Sequence, residues 1–440
     1  MKKIILYILL GVVAVVLLIK VIHGTSDYGS KAVVEVPSSE EYKAVSIKNV
    51  TFLIDNSGSM RGYVDFSGNK PEFASAEKTL LSKTGIFMGN CENILDATTK
   101  AICNGKTYNT EKTMTALSNY SAFSGPITEV GSLIKKGIDT LNGDSTLCVI
   151  VSDMVLSYGK AELKAKSDIY YNLHSLSDLK TDIRNQFHRL KNAGKDVLIV
   201  KYEGDFNGNF YYNYTENLEA SSYQGTLMNK RPFYFMIIGA TKAIKDLCVR
   251  KCLPEGYTEV FTSLALDKSD IKTESYSVTQ PSDQPQWILG CPDNRKENDA
   301  KDNTFTISID KNLSTTRSSF SFQFSQFEIP AYVSTNLSAE YERNVLKEVT
   351  QLVNNSSFSV TTNPFNDLSK RQTVKVRFVS PRYVDVSTSS TKDDIKCSVK
   401  DMEGKTWGYA AIAEALYEAY GISSKDVNQV VSLEFMLIKN

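Results

Sequence analysis

The sequence predicts an α/β protein with a doubly wound, mostly parallel sheet, followed by a β-rich, sandwich-like domain and preceded by one transmembrane helix. Between residues 47 and 254, apolar runs of strand length, such as Val50–Ile54 and Leu147–Val151, alternate with helical patterns. After residue 255, short alternating segments rich in Ser and Thr are typical of a β-sandwich. These patterns divide the chain into a membrane anchor at 1–24, a linker at 25–46, an α/β domain at 47–254 and a β-rich domain at 255–440.

The first 24 residues predict a membrane anchor. An apolar run from Ile4 reaches Ile22 with one interruption at Lys20, and a helix of this length covers about 28 Å at ~1.5 Å per residue. A cleaved signal peptide is the alternative, but the run is long for one and no clear cleavage site follows it. Because Lys2 and Lys3 favour a cytoplasmic amino end, we expect a single-pass membrane protein whose bulk lies outside the cytoplasm, in the periplasm or extracellular space.

The composition argues against several classes of function. The 440-residue chain has 50 Lys and Arg against 50 Asp and Glu, so no overall positive field draws it to nucleic acid. Its three His do not occur in metal-ligand spacings, and His174 is expected in a loop. The sequence has no P-loop, G-x-G-x-x-G or G-x-S-x-G pattern. We therefore expect neither nucleotide binding nor Ser-His-Asp hydrolysis.

Polar side chains follow the first buried strand of the α/β domain. Val50–Ile54 is apolar or β-branched throughout, and Asp55, Ser57 and Ser59 come directly after it. In a parallel sheet the carboxyl ends of the strands face a crevice where ligands bind, so these side chains should lie at its rim. A carboxylate and two hydroxyls are hard oxygen donors, which suit a small hard cation such as Mg²⁺.

This Asp-x-Ser-x-Ser pattern resembles the metal-ion-dependent adhesion site of the von Willebrand factor type A family, which has a Rossmann-like sheet. The family also has a Thr in a loop before a helix and an Asp at the end of a later buried strand. Thr128, just before a helical pattern, and Asp153, after the run Leu147–Ser152, fit these two positions. The family often has two Gly before the Thr and a Gly after the Asp.

Two departures from the family pattern concern the threonine position and the second aspartate position. Pro126-Ile127 precede Thr128 here, and Met154 follows Asp153. Because of the first departure, Thr113 and Thr115 remain alternatives for the threonine position.

The resemblance implies a metal site made by Asp55, Ser57, Ser59, Thr128 and Asp153. It would hold Mg²⁺ or Mn²⁺ and leave one position open for an acidic side chain of a partner protein. The implied function is adhesion or complex assembly without catalysis. Two alternatives stay open: a structural scaffold of an envelope complex with a degenerate metal site, and a metal-dependent hydrolase with Ser57 in the reactive position.

Local patterns predict further elements. We expect helices at Val130–Ile138, Ser338–Val353 and Trp407–Tyr420, and a hairpin with its turn at Asn207-Gly208.

The seven cysteines do not have the spacings of a dense disulfide scaffold. Cys91 and Cys103 are close enough in sequence for a local bridge, and the mid-strand Cys148 is expected to be a buried thiol.

Overall fold

A computed structural model describes residues 31–35, 44–64, 77–125, 130–156, 168–214, 220–267, 270, 275–279, 287–290, 305–309, 317–324, 328–352, 356–391 and 403–439. The predicted membrane anchor at 1–24 and the candidate ligand Thr128 lie outside these ranges. Among the described helices, none combines the length and the apolar character that crossing a membrane would need. The membrane anchor stays a prediction from the sequence.

Nineteen strands and six α-helices are described. The strands are β1 (Lys31–Glu35), β2 (Asn49–Ile54), β3 (Thr98–Cys103), β4 (Lys106–Tyr108), β5 (Thr146–Ser152), β6 (Lys195–Tyr214), β7 (Ala220–Ala240), β8 (Glu259–Thr262), β9 (Ser275–Thr279), β10 (Trp287–Gly290), β11 (Phe305–Ile309), β12 (Ser319–Phe324), β13 (Ser338–Tyr341), β14 (Leu346–Leu352), β15 (Ser357–Thr362), β16 (Arg371–Pro381), β17 (Ser390–Thr391), β18 (Thr406–Trp407) and β19 (Val427–Lys439). The helices are α1 (Thr79–Leu95), α2 (Thr110–Leu117), α3 (Val130–Thr140), α4 (Asp168–Asn192), α5 (Thr241–Val249) and α6 (Tyr409–Tyr420).

A seven-stranded sheet, in the order β4-β3-β2-β5-β7-β6-β8, forms the centre of the α/β part. Strand β2 pairs in parallel with both β3 and β5. Strand β7 lies antiparallel between β5 and β6. Because β2, β3, β5 and β6 run in one direction, the predicted parallel majority is confirmed, although the β6–β7 hairpin makes the sheet mixed.

Helices cover both faces of this sheet because its central strands are apolar on both sides. In β2, Phe52 packs toward α1, where it meets Phe87 with ring centroids 5.3 Å apart. The next residue, Leu53, points to the opposite face and belongs to the core that α3, α4 and α6 cover. This alternation with period two explains why β2 reads in the sequence as a continuous apolar run.

The carboxy-terminal half contains two five-stranded sheets, in the orders β1-β9-β12-β15-β14 and β10-β11-β19-β16-β13. They face each other through aromatic pairs, Phe322 with Phe435 at 5.6 Å and Phe358 with Phe378 at 3.6 Å between ring centroids. The first sheet is antiparallel throughout; the second has one parallel pair, β11 with β19. Aromatic packing between two sheets therefore gives this part of the chain its β-rich, sandwich-like architecture.

Three segments join regions that the sequence separates. Strand β8 forms the edge of the central sheet although it follows residue 254, and α6 packs on the same sheet from the carboxy-terminal part of the chain. Strand β1, inside the predicted linker 25–46, pairs with β9 of the first sandwich sheet. The α/β part therefore includes two elements from beyond residue 254, and the β-rich part includes one strand from before residue 47.

Of the three helices predicted above, two are confirmed and one is wrong. The predicted helices at Val130–Ile138 and Trp407–Tyr420 correspond to α3 and α6. The predicted helix Ser338–Val353 is instead the pair of strands β13 and β14. Its apolar residues have near-helical spacing, but pairing of β13 with β16 and of β14 with β15 overrides this local preference.

The hairpin turn predicted at Asn207-Gly208 is also wrong, because both residues lie inside β6. A Cβ atom at Gly208 would lie 2.8 Å from the Cα atom of Gly62, closer than such atoms approach in proteins. The glycine is therefore required by close packing of two backbones and not by a turn.

The cysteine and histidine predictions are partly wrong. Cys91 and Cys103 are free buried thiols, because Cys91 lies in α1 whereas Cys103 ends β3. Cys148 is a buried free thiol, as predicted. His174 lies within α4 and not in a loop.

Candidate functional site

The two predicted carboxylates follow neighbouring parallel strands. Ile54 at the end of β2 is paired with Val151 of β5, and the amide of Asp55 donates to the carbonyl of Val151 at 2.9 Å. Asp55 and Asp153 therefore lie at the same edge of the sheet, where the carboxyl ends of β2, β3 and β5 meet. This is the edge at which ligands bind in open α/β sheets.

The carboxylate of Asp55 is held by two hydrogen bonds. Its Oδ1 accepts from the amide of Ser57 at 2.9 Å, and its Oδ2 accepts from the hydroxyl of Ser152 at 2.8 Å. The hydroxyl of Ser152 in turn accepts from the amide of Met154 at 2.9 Å. Ser152 is a site residue that sequence reasoning missed; its only signal is its position directly before Asp153.

The two predicted serine hydroxyls are neighbours. The Oγ atoms of Ser57 and Ser59 lie 3.0 Å apart, and both side chains are buried. Ser57 precedes a 3₁₀ helix, Gly58–Tyr63, without using its hydroxyl as a side-chain cap. The two hydroxyls are therefore available to bind a ligand together.

Asp153 is fully buried and has one carboxylate oxygen without a hydrogen bond in the described part of the chain. Its Oδ1 accepts from the amide of Val155 at 3.3 Å, whereas its fully buried Oδ2 has no hydrogen-bond donor within the described part of the chain. A buried carboxylate oxygen without a hydrogen-bond donor is costly unless a positive charge lies beside it.

Met154 occupies the position where the resemblance expects a glycine. Its φ angle is 54°, in the left-handed region that glycine enters without steric cost. The backbone thus has a glycine-like conformation here although a buried methionine side chain is present.

A guanidinium group lies beside Asp153. Nη2 of Arg231 is 3.6 Å from Oδ2 of Asp153, and the two side chains are 1% and 0% exposed. Because β7 is antiparallel to β5, with Tyr234 opposite Ser152, Arg231 lies just beyond the end of β5. Sequence reasoning missed Arg231, and nothing in its local pattern indicated it, since the contact depends on the order of strands.

Arg231 also contacts other groups around the site. Its Nη1 donates to the carbonyl of Lys405 at 3.0 Å, and its guanidinium carbon lies 5.7 Å from the ring centroid of Phe206. Burial raises the pKa of the Tyr63 hydroxyl well above its usual value, an effect that the positive charge of Arg231 opposes. The arginine is thus enclosed by β6, the 3₁₀ helix and the carboxy-terminal segment.

The negative charge of Asp55 affects the thiol of Cys103 at the end of β3. The thiol of Cys103 has a pKa raised to about 12, mainly by burial and secondarily by the negative charge of Asp55. Cys103 is therefore a protonated, unreactive neighbour of the site at neutral pH.

For the predicted ligand Thr128, the structure describes only the residues on either side. Thr128 lies outside the described residues, but Gly125 before it forms a β-bridge with Ser57, and α3 begins after it at Val130. Thr115, one alternative, is exposed on α2.

The other alternative is placed away from the site. The hydroxyl of Thr113 donates to the carbonyl of Asn109 within the first turn of α2. That turn meets the opposite end of the sheet, because Thr110 is hydrogen-bonded to Thr99, the partner of Val50 at the start of β2.

Close backbone packing fixes the loop that carries the serines. The amide of Gly125 donates to the carbonyl of Asn56 at 2.8 Å, and a Cβ atom at Gly125 would lie 2.9 Å from that same oxygen. Only glycine allows this approach without displacing the backbone beside Ser57.

Gly125→Ala is expected to lower the free energy of unfolding by about 1–3 kcal/mol, because the new methyl group is forced against a backbone oxygen. The matched control is Gly89→Ala in α1, where the nearest atom to a new Cβ is 3.9 Å away. It should raise the free energy of unfolding by about 0.5–1 kcal/mol. Urea unfolding of the full chain in detergent, followed by circular dichroism, measures both. Equal stability of the Gly125→Ala variant and the parent would contradict the packing argument.

The donor set fits a hard divalent cation. Two carboxylates and two neighbouring hydroxyls lie at one edge of the sheet, and one carboxylate oxygen has no hydrogen-bond donor within the described ranges. Mg²⁺ and Mn²⁺ prefer such oxygen ligands. In the described part of the chain, no three His, Cys, Asp or Glu side chains are placed to hold a metal ion, so a cation here would depend on the serine hydroxyls.

No protein-family model matches the chain, and no curated protein matches it. The geometry of the site is therefore the basis on which its chemistry is assigned.

Proposed function

We propose that this chain is a cation-dependent binding protein that resembles the von Willebrand factor type A family. Its site would hold Mg²⁺ or Mn²⁺ through Asp55, Ser57, Ser59 and Asp153, with Thr128 as a further ligand. The bound cation would supply an open coordination position for a carboxylate of a partner protein. The function is adhesion or complex assembly at a membrane to which residues 1–24 anchor the chain, with the bulk of the chain outside the cytoplasm.

One observation carries this proposal above the others. Oδ2 of Asp153 is fully buried without a hydrogen-bond donor within the described residues, whereas both carboxylate oxygens of Asp55 accept hydrogen bonds. The hydroxyls of Ser57 and Ser59, which follow the neighbouring strand β2, would supply further oxygen ligands of the same hard type. A cation at this place would satisfy the carboxylate and the hydroxyls together.

A second candidate is a scaffold that works without a cation, as a subunit of an envelope complex. The observation in its favour is the ion pair between Asp153 and Arg231, which already places a positive charge at the carboxylate. The third candidate, a metal-dependent hydrolase, gains no support from His188, which is exposed on α4.

A cation titration of the full chain in detergent tests the first candidate against the second. Mg²⁺ or Mn²⁺ at a hundredfold excess over its dissociation constant should raise the free energy of unfolding by about 2.7 kcal/mol, because it binds only the folded state. The rise should reverse with EDTA and disappear in Asp153→Asn, which keeps the shape of the side chain and removes its charge.

The matched control is Asp246→Asn, since Asp246 is equally buried but lies in α5 and pairs with Arg250. This variant should keep the full response to the cation. If neither Mg²⁺ nor Mn²⁺ changes the stability of the parent chain, the cation-dependent function is wrong and the scaffold is favoured.

A further inference from the structure

We propose that Arg231 is a built-in competitor for the cation: it shares Oδ2 of Asp153 with the metal and links metal binding to the segment Gly404–Trp407. This inference rests on the proposed function, since it concerns how the same site is regulated. Arg231 lies outside the predicted ligand set, and the segment Gly404–Trp407 is far from Asp153 in the sequence.

The charge of Arg231 opposes the binding of a cation at Asp153. Among the described residues, the two aspartates of the site and Arg231 together carry a formal charge of minus one, and a divalent cation would make this sum plus one. The guanidinium lies 3.6 Å from the carboxylate oxygen, and both side chains are almost fully buried. Water screens such charges poorly, so a cation bound at Asp153 repels Arg231 strongly.

An acidic partner would change this balance of charge. A carboxylate that completes the metal shell would return the formal charge of the site to zero. Arg231 therefore weakens the binding of the bare cation and compensates the charge of the cation together with a carboxylate. A site built in this way would hold its metal firmly only when the partner is present.

Arg231 also contacts the carboxy-terminal segment Gly404–Trp407. Nη1 of Arg231 donates to the carbonyl of Lys405 at 3.0 Å. On either side of Arg231, the carbonyl of Lys230 accepts from the amide of Gly404 at 2.8 Å, and the hydroxyl of Tyr234 donates to Thr406 Oγ1 at 3.2 Å. The segment Gly404–Trp407 is thus bound along β7 directly at the arginine.

Movement of Arg231 away from a bound cation would strain the contact to Lys405. Trp407 follows Lys405 by two residues and is 8% exposed in the core beneath α6. The fluorescence of Trp407 should therefore report cation binding, although this residue is not part of the site. The other tryptophan, Trp287, is removed as Trp287→Phe to leave one emitter.

The experiment compares the full chain in detergent with its Arg231→Met variant, using Mg²⁺ alone as the probe and isothermal titration calorimetry. We expect Mg²⁺ to bind Arg231→Met about tenfold more tightly, because a like charge has been removed from the cation. In the Trp287→Phe background, Mg²⁺ should shift the emission of Trp407 when Arg231 is present and leave it unchanged in Arg231→Met. The control is Lys245→Met, which removes another buried cation, paired with Asp270 at 2.6 Å, and should leave the affinity for Mg²⁺ unchanged.

The outcomes separate the inference from the function on which it rests. Equal affinity of the parent and Arg231→Met for Mg²⁺, with a silent Trp407, overturns the role of Arg231 and leaves the metal site standing. No binding of Mg²⁺ to either protein overturns the proposed function and the inference with it. If Arg231→Met does not fold, the parent protein is tested alone. The inference is overturned if Mg²⁺ binds to the parent but neither speeds hydrogen exchange at the amide of Gly404 nor changes the emission of Trp407.

Discussion

Replacing Asp153 with leucine is expected to lower the free energy of unfolding by about 3–5 kcal/mol in the absence of divalent cations. The reason is the guanidinium of Arg231, which is 1% exposed and would lose the carboxylate that balances its charge. Arg231→Met should cost a similar amount, because it leaves the carboxylate of Asp153 buried without its cation. In each single variant one charge of the buried pair is removed and the other stays buried.

The double variant Asp153→Leu/Arg231→Met provides the decisive comparison. It removes both charges, so it should be clearly more stable than the sum of the two single losses predicts. Urea unfolding of the four proteins with EDTA present gives the coupling free energy directly. Strictly additive losses would show that the two side chains do not act as a pair.

An exposed ion pair provides a reference for the coupling between Asp153 and Arg231. Lys375 and Glu434 are 3.2 Å apart on neighbouring strands of the sandwich, with side chains 59% and 42% exposed. Because water and salt screen such a pair, Lys375→Met should change the free energy of unfolding by less than about 1 kcal/mol. The difference between the two pairs is a difference in burial and not in distance.

The part of the site that the sequence predicts is the part made by local chain geometry. The apolar run of β2 ends at Asp55, and an apolar run on β5 ends at Ser152-Asp153, so a parallel pairing of these strands was enough to bring the two acids to one edge. The serines follow from the same loop. The structure places their hydroxyl oxygens 3.0 Å apart and buries both side chains, whereas the sequence predicts them only at the rim of a crevice.

Arg231 could not be predicted in this way, because its place depends on which strand neighbours β5. The long hairpin of β6 and β7 inserts β7, in antiparallel orientation, next to β5. A strand reads as apolar in either orientation, so its direction and neighbours are decided by long-range pairing and not by its own residues. The same limitation explains why Gly208, which resembles a turn residue, lies inside a strand.

The carboxy-terminal helix shows a related limit. The alanine-rich pattern of residues 407–420 predicts a helix correctly, but its sequence position suggests the β-rich domain. In the structure it covers the central sheet, together with α3 and α4, on the face opposite to α1. Amphipathic character identifies the element, whereas the surface it covers is a property of the whole chain.

Tyr409→Ala tests whether α6 is an integral layer of the α/β part. Tyr409 is fully buried and stacks on Tyr234 of β7, with ring centroids 4.3 Å apart and planes 15° apart; it also meets Phe261 of β8 edge-on at 5.2 Å. Removing the ring leaves a large cavity between the helix and two strands. We expect the free energy of unfolding to fall by about 3–5 kcal/mol, with a single cooperative transition in urea.

The matched control changes only the hydroxyl of the same residue. Within the described part of the chain, the hydroxyl oxygen of Tyr409 is buried and has no hydrogen-bond partner. Tyr409→Phe therefore keeps the stacked ring and removes a group whose burial is uncompensated, so it should be neutral or slightly stabilising. If Tyr409→Ala costs less than about 1 kcal/mol, or unfolds α6 in a separate early transition, the helix is a peripheral addition. A large cooperative loss, spared in Tyr409→Phe, would place residues 409–420 in the folding unit that carries Asp55 and Asp153.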